Sequence, residues 1–226
     1  MPPPGSLPPF GAIRSGGEHH PGWPARLGPV DVGGEPLLLR PLRRSDGPDW
    51  RALRIRDRVL LEPWDATSVR DWAARHTAAS WRRHRTSLYS AARLGESMPF
   101  AITLAGRFAG QLTVGGIQRG PVQSAWLGYW VQSQVQGRGV ATAAVALTVG
   151  HAFGMAQLHR MEATVAPDNR ASQAVLARLG FRPEGRLVRY LDVGGGWTDH
   201  LLFALTTEDV PGGTAELLGR CRRPAD

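Results

Sequence analysis

The run Gln136-Gly137-Arg138-Gly139-Val140-Ala141 sets two glycines between a strand-like stretch and an Ala-rich helical one. Glycines at such a junction free backbone N–H groups to point outward at a helix N-terminus, where hydrogen bonding and the helix dipole together favour phosphate. The run has no Gly-Lys-Ser/Thr of a P-loop, nor the spacing of the dinucleotide fingerprint. Taken alone it is either an anion cradle or just a tight turn. Downstream, Asn169 is placed to cap a helix with Ser172 in its first turn. Either the pair merely starts that helix, or both residues face a ligand.

In Arg160-Met161-Glu162-Ala163-Thr164-Val165, alternation puts Met161, Ala163 and Val165 on one face and Arg160, Glu162 and Thr164 on the other. A carboxylate in a covered central strand must be paired or open onto a cleft. Glu162 is therefore either an arginine's partner or a general base. Asp199 and His200, adjacent in Trp197-Thr198-Asp199-His200, point to opposite faces of a strand and form no dyad. His19 and His20 fall in a Pro/Gly-rich segment, and His151 and His159 at or just past the end of a helix, so no metal is expected. Trp64, beside Pro63 between two helices, is a candidate wall for a substrate cleft.

These groups need a frame. The chain has 226 residues, 42% hydrophobic and 20% charged, enough for a sizeable core and against global disorder. Its 27 basic residues are all arginine, against 19 acidic ones, for a formal charge of +8; a lysine nucleophile or Schiff base is excluded. One cysteine, Cys221, cannot make an internal disulfide or a Cys-rich zinc site. No apolar run approaches the roughly 18 to 20 residues of a membrane span, and no signal peptide is apparent. A cytoplasmic protein without membrane partners is expected.

Residues 1–36 carry nine of the 18 prolines and eight of the 28 glycines and read as a flexible tail. Residues 210–226 read as a second tail, with a helical turn at 215–218, leaving one domain at 37–209. Within it a first strand is expected at 37–42, and a helix from Ser45 or Asp46 to Pro63. A second helix should start at Thr67 or Ser68, with Val69, Trp72, Ala73, His76, Ala79 and Leu88 as its stripe. A meander follows at 99–104, 108–117 and 125–131. Then come a helix at 140–155, a strand at 160–165, a helix ending at Gly180, and two strands joined by Gly194-Gly195-Gly196. This order gives a mixed α+β sheet.

Together these pieces resemble the GNAT N-acetyltransferases, and within them the RimJ/RimL type that acetylates N-terminal amines of ribosomal proteins. Gln136 to Ala141 matches the family's Gln/Arg-x-x-Gly-x-Gly/Ala signature. The narrower likeness lies in Arg160-Met-Glu-Ala163, Asn169-Arg-Ala-Ser172, Leu179-Gly-Phe181 with Glu184-Gly185, and Gly196-Trp197-Thr-Asp199-His200. The resemblance implies a mostly antiparallel sheet with helices on both faces, splayed between two central parallel strands, 125–131 and 160–165. It implies acetyl-CoA as cosubstrate, its pantetheine arm beside Val131 and Asn169 and its pyrophosphate on Gln136, Gly137, Arg138, Gly139, Val140, Ala141 and Thr142. Ser172 falls where RimL-like enzymes place the acid for the CoA thiolate, with Tyr190 in reserve. Trp64, Trp197 and Asp199 would meet the acceptor.

The reaction requires a neutral amine, a stabilised oxyanion and a protonated leaving thiolate. An α-amine with a pKa near 7.7 to 8.0 is deprotonated at pH 7 for about 1 kcal/mol, whereas a lysine near 10.4 costs roughly 4 to 5. A weak base acting through water is sufficient for an N-terminal substrate. Glu162 is the expected base and the N–H near Val131 the oxyanion donor. The alternatives are a small-amine acceptor, or an RNA-binding module using Arg82, Arg83 and Arg85 on the same scaffold. A polyamine site is disfavoured, because Asp46, Asp49, Asp57, Glu62, Asp65 and Asp71 are outnumbered by arginines. Nucleic-acid contact is otherwise incidental, and the chain is a monomer or homodimer.

Overall fold

The computed structural model describes residues 21–222. Eight strands form one sheet in the order β1-β2-β3-β4-β5-β6-β8-β7. β1 (Leu27–Val32) and β2 (Glu35–Pro41) make a hairpin, followed by α1 (Gly47–Arg56), α2 (Arg58–Leu61), α3 (Trp72–Arg75) and α4 (Ala78–Arg93). The meander is β3 (Ser97–Leu104), β4 (Arg107–Gln118) and β5 (Ser124–Val131). Then come α5 (Val140–Phe153), β6 (Arg160–Val165), α6 (Arg170–Leu179), β7 (Arg182–Val193), β8 (Gly196–Thr206) and α7 (Gly213–Arg222). Every neighbouring pair is antiparallel except β5 with β6.

Helices cover both faces. α5, α6 and α7 pack together over one, and α5 also meets β1 and β2. All but three residues of α5 are buried, which is why its sequence is apolar right round rather than striped. On the other face α1 and α4 close a smaller core of Leu42, Trp50, Trp81, Ala101 and Phe108. No helix among the described residues is long and apolar enough to cross a membrane.

Several sequence expectations need correction. Residues 27–36, read as tail, form β1 and the start of β2, with Leu27 and Val32 in the core. Pro29 lies in β1, an edge strand, where a missing N–H need leave no ladder bond unmade. Residues 1–20 lie outside the described residues. At the other end, 210–226 is not simply tail: α7 spans ten residues and buries Leu217 against the core.

The first helix does not run to Pro63 but breaks at Asp57. That carboxylate is turned inward, accepting from Ser133 N and Ser133 Oγ at 2.8 Å each and from Arg56 Nε at 2.7 Å. Burial works against its charge, yet the Arg56 and Ser133 bonds hold its carboxyl below the usual range. It thereby ties the end of α1 to the turn that follows β5. The second helix starts later than Thr67 and is split: Asp71 caps α3 and Thr77 caps α4, while Val69 is fully exposed. The final strands and their glycine hairpin form as expected, Gly194 and Gly195 both having positive φ.

Candidate active site

The parallel pair at the centre is short. Ser124, Ala125 and Trp126 of β5 pair with Arg160, Met161 and Glu162 of β6, and pairing then stops. β5 nevertheless continues to Val131 in register with β4. From Leu127 onward the β6-facing edge of β5 is therefore open, and the two strands diverge into a cleft of ≈ 1100 Å³.

The glycine run sits on this cleft. Gly137 and Gly139 have φ of +72° and +83°, and Gly139 is the N-cap of α5. The first intrahelical bond runs from Ala143 N to Gly139 O at 2.9 Å, so the N–H groups of residues 140–142 have no acceptor within the helix. Arg138 reaches back to pair with Glu35. Val131, every residue from Gln136 to Thr142, Asn169 and Ser172 line the same cleft.

At its other wall Asn169 Oδ1 accepts from Ser172 N at 3.1 Å, so Asn169 both caps α6 and faces the cleft. Ser172 Oγ lies 2.9 Å from the phenolic oxygen of Tyr129 on β5. Burial pushes the Tyr129 pKa up to about 12, against the pull of Ser172. Sequence reading passed over Tyr129 because it sits in the apolar run Trp126-Leu-Gly-Tyr-Trp-Val131.

Trp64 lines the cleft as expected, together with Leu60, Leu61, Asp65 and Val193. The loop carrying Trp64 and Asp65 is strapped to the β7–β8 hairpin. Thr67 N donates to Asp192 O at 2.8 Å, Thr67 Oγ1 to Asp192 Oδ1 at 2.6 Å, and Gly195 N to Thr67 Oγ1 at 2.8 Å.

The other expected site residues lie elsewhere. Glu162 is in the paired part of β6 opposite Trp126, does not line the cleft, and accepts from Arg160 Nε at 2.7 Å. Arg160 also pairs with Glu184. The arginine-partner reading of Glu162 holds, and the base reading is withdrawn. Asp199 is held by Arg189 N at 2.8 Å and Arg186 Nε at 2.7 Å, outside the cleft. Trp197 is 68% exposed and Tyr190 packs on the His200 ring, neither of them lining the cleft. Alternation on β8 had the faces right, but His200, not Asp199, is the inward member. Among the described residues no three His, Cys, Asp or Glu are grouped to hold a metal ion.

Residues 36–182 match the family model of the acetyltransferase (GNAT) domain. The probable N-acetyltransferase YjcK of Bacillus subtilis is 31% identical over 178 residues, 78% of this chain and 97% of that protein. The [ribosomal protein uS5]-alanine N-acetyltransferase of Escherichia coli is 28% identical over 196 residues, 84% of this chain and 98% of its own. Among solved structures, Mycobacterium smegmatis RimJ in complex with CoA-disulfide is 48% identical, with a TM-score of 0.86 over 88% of this chain and 96% of that one.

Proposed function

The chain belongs to the GNAT acetyltransferase family, and from that premise we propose that it transfers the acetyl group of acetyl-CoA to the N-terminal α-amine of a protein, with a ribosomal protein as the acceptor. The observation that carries this reading is the divergence of β5 from β6 directly in front of the open N-terminus of α5. An unpaired strand edge suits the amide-bearing pantetheine arm, and unpaired helix N–H groups suit the pyrophosphate. The acceptor class follows the uS5-alanine N-acetyltransferase, which spans nearly all of its length in the match.

The cosubstrate supplies a thioester carbonyl. In this reading the open edge of β5 near Val131 orients it, and the Val131 N–H donates to the developing oxyanion. N–H groups of residues 137–142 hold the pyrophosphate, and Asn169 contacts the pantetheine arm. The amine nitrogen bonds to the carbonyl carbon as the carbon–sulfur bond breaks. Ser172 Oγ–H donates to the departing sulfur while Tyr129 O–H donates to Ser172 Oγ. The proton that leaves the attacking nitrogen restores the balance through water, giving an amide and a free thiol.

With Glu162 held by Arg160, no carboxylate base is assigned. An α-amine with a pKa near 7.7 to 8.0 needs none, since its neutral form costs about 1 kcal/mol at pH 7. The test is thiol release from acetyl-CoA with Ala-, Ser- and Thr-starting peptides, each beside an N-blocked control, and with polyamines and aminoglycosides. Release that requires a free peptide N-terminus is expected. Release with small amines alone, or silence from every peptide, removes this reading.

A further inference from the structure

Beside the cleft lies a second cavity of ≈ 320 Å³, walled by Trp50, Trp130, His76 and His84. It shares Arg54, Asp65, Gln111 and Trp130 with the cleft, so the two spaces adjoin. Its charge is unbalanced. Asp65 is its one carboxylate, and it serves both guanidinium groups, pairing with Arg54 and accepting from Arg75 Nη2 at 3.0 Å.

The histidines do not add to the positive charge at neutral pH. Burial lowers His76 to about 4; its Nδ1–H donates to Trp72 O at 2.6 Å and its Nε2 accepts from Arg54 Nε at 3.0 Å. His84 is likewise lowered by burial and bonded to Gln111. Two guanidinium groups against one carboxylate leave a single net positive charge in an aromatic-walled space.

Arg54 is held rigidly for this. Only 8% exposed, it lies 4.8 Å over the Trp72 ring and 5.3 Å over the Trp130 ring. Its Nε and one terminal nitrogen are used by His76 and Asp65, while Nη1 has no hydrogen-bond partner among the described residues. Asp65 occupies only one terminal nitrogen of that guanidinium, and the rigid fork of arginine suits a second carboxylate.

We propose that this pocket receives an acidic side chain of the acceptor polypeptide, an Asp or Glu within a few residues of the acetylated N-terminus, and that Arg54 and Arg75 set that preference. The inference rests on the N-terminal acetylation reading above. The methylene stem of the acid packs against Trp50 and Trp130, and the carboxylate takes the free N–H groups. A lysine or arginine at the same place in the acceptor meets like charge and is rejected.

The experiment compares Ala-starting peptides carrying Glu or Gln at the second, third or fourth position, in the thiol-release assay with the full-length protein. At one of these positions kcat/KM for Glu is expected to exceed that for Gln by about tenfold, the size of one charge-assisted hydrogen bond. The ratio should fall toward one in Arg75→Gln, recover partly in Arg75→Lys, and rise in Asp65→Asn. Arg54 packs between two tryptophans, so the more exposed Arg75 carries the test. Peptides acetylated equally well with Glu or Gln, or a ratio that survives Arg75→Gln, overturn the pocket assignment and leave N-terminal acetylation standing. Peptides left untouched while acetyl-CoA still binds overturn both.

Discussion

The hydroxyls of Tyr129 and Ser172 lie 2.9 Å apart inside the cleft, one carried by β5 and the other by the first turn of α6. They come from the two walls of the wedge, and either oxygen can donate to the other. Tyr129 also lies 3.4 Å from Ser172 O, so the phenol is within reach of both the backbone and side-chain oxygens of one residue. If Ser172 is the group that donates to the leaving sulfur, Ser172→Ala lowers kcat by about a hundredfold, the lower end for a general acid. Tyr129→Phe, which removes only the support, costs about tenfold. The double variant should be no slower than Ser172→Ala, because Tyr129 acts through it. With its pKa raised to about 12, the phenol stays protonated from pH 6 to 10, so a fall in rate across that range must persist in Tyr129→Phe.

Gly139 contributes conformation rather than space. A Cβ there meets nothing within 4 Å, but φ is +83°, a region that costs an L-residue about 1 to 2 kcal/mol. Gly139→Ala should therefore weaken acetyl-CoA binding about tenfold, as measured by calorimetry. Gly139→Glu adds a negative charge at the α5 N-terminus and should abolish binding. Equal affinities for both variants and the parent would remove the phosphate role from this turn.

Glu162 separates the structure from the sequence expectation most sharply. Its carboxylate belongs to an arginine, and it sits where β5 and β6 are still paired. Glu162→Gln should leave kcat within about twofold of the parent and trim stability only slightly, by about 1 kcal/mol, since the ion pair it loses is part-buried and Arg160 keeps Glu184. A loss of kcat tenfold or greater, growing as pH falls, would restore it as the base.

Much of this site was legible because it is local. The glycine run, Asn169 and Ser172 each lie within a few residues of the helix they start, and capping and turn chemistry read across such distances. What failed depended on where one element sits against another. Glu162 on its strand looks the same whether β5 still pairs with β6 at that level or has already diverged. Tyr129 is an aromatic in an apolar strand until α6 brings Ser172 to it, 43 residues later in the chain. The Arg54 pocket gathers residues from α1, α3, α4, β4 and β5, and no spacing in the sequence announces it. The edge hairpin at 27–36 was hidden for another reason: its prolines and glycines dominate an average that its few apolar residues, Leu27, Val30 and Val32, do not shift, and a register shift between Leu27 and Val30 breaks their alternation.

The strap between Thr67 and Asp192 helps to fix where Trp64 and Asp65 stand, because after the 3-10 turn at Glu62–Trp64 the loop has no helix or strand of its own until α3, only the bridge from Ala66 to Val193. Three hydrogen bonds cross it, two of them using Thr67 Oγ1 as donor to Asp192 and as acceptor from Gly195. Thr67→Val keeps the shape and the backbone bond and removes both hydroxyl bonds. Asp65 keeps its pairs with Arg54 and Arg75, but the hairpin side of the loop is held more weakly, and Trp64 must be ordered by the acceptor itself, at a cost of about 0.5 to 1.5 kcal/mol for that side chain. The expected outcome is an acceptor KM raised about fivefold to tenfold, with acetyl-CoA affinity unchanged, because the glycine turn and α6 lie away from the strap. Thr67→Ser, which keeps the hydroxyl, should behave as the parent. A Thr67→Val enzyme whose acceptor KM is unaltered would mean that the backbone bond from Thr67 N to Asp192 O and the Asp65 ion pairs hold the loop without the hydroxyl.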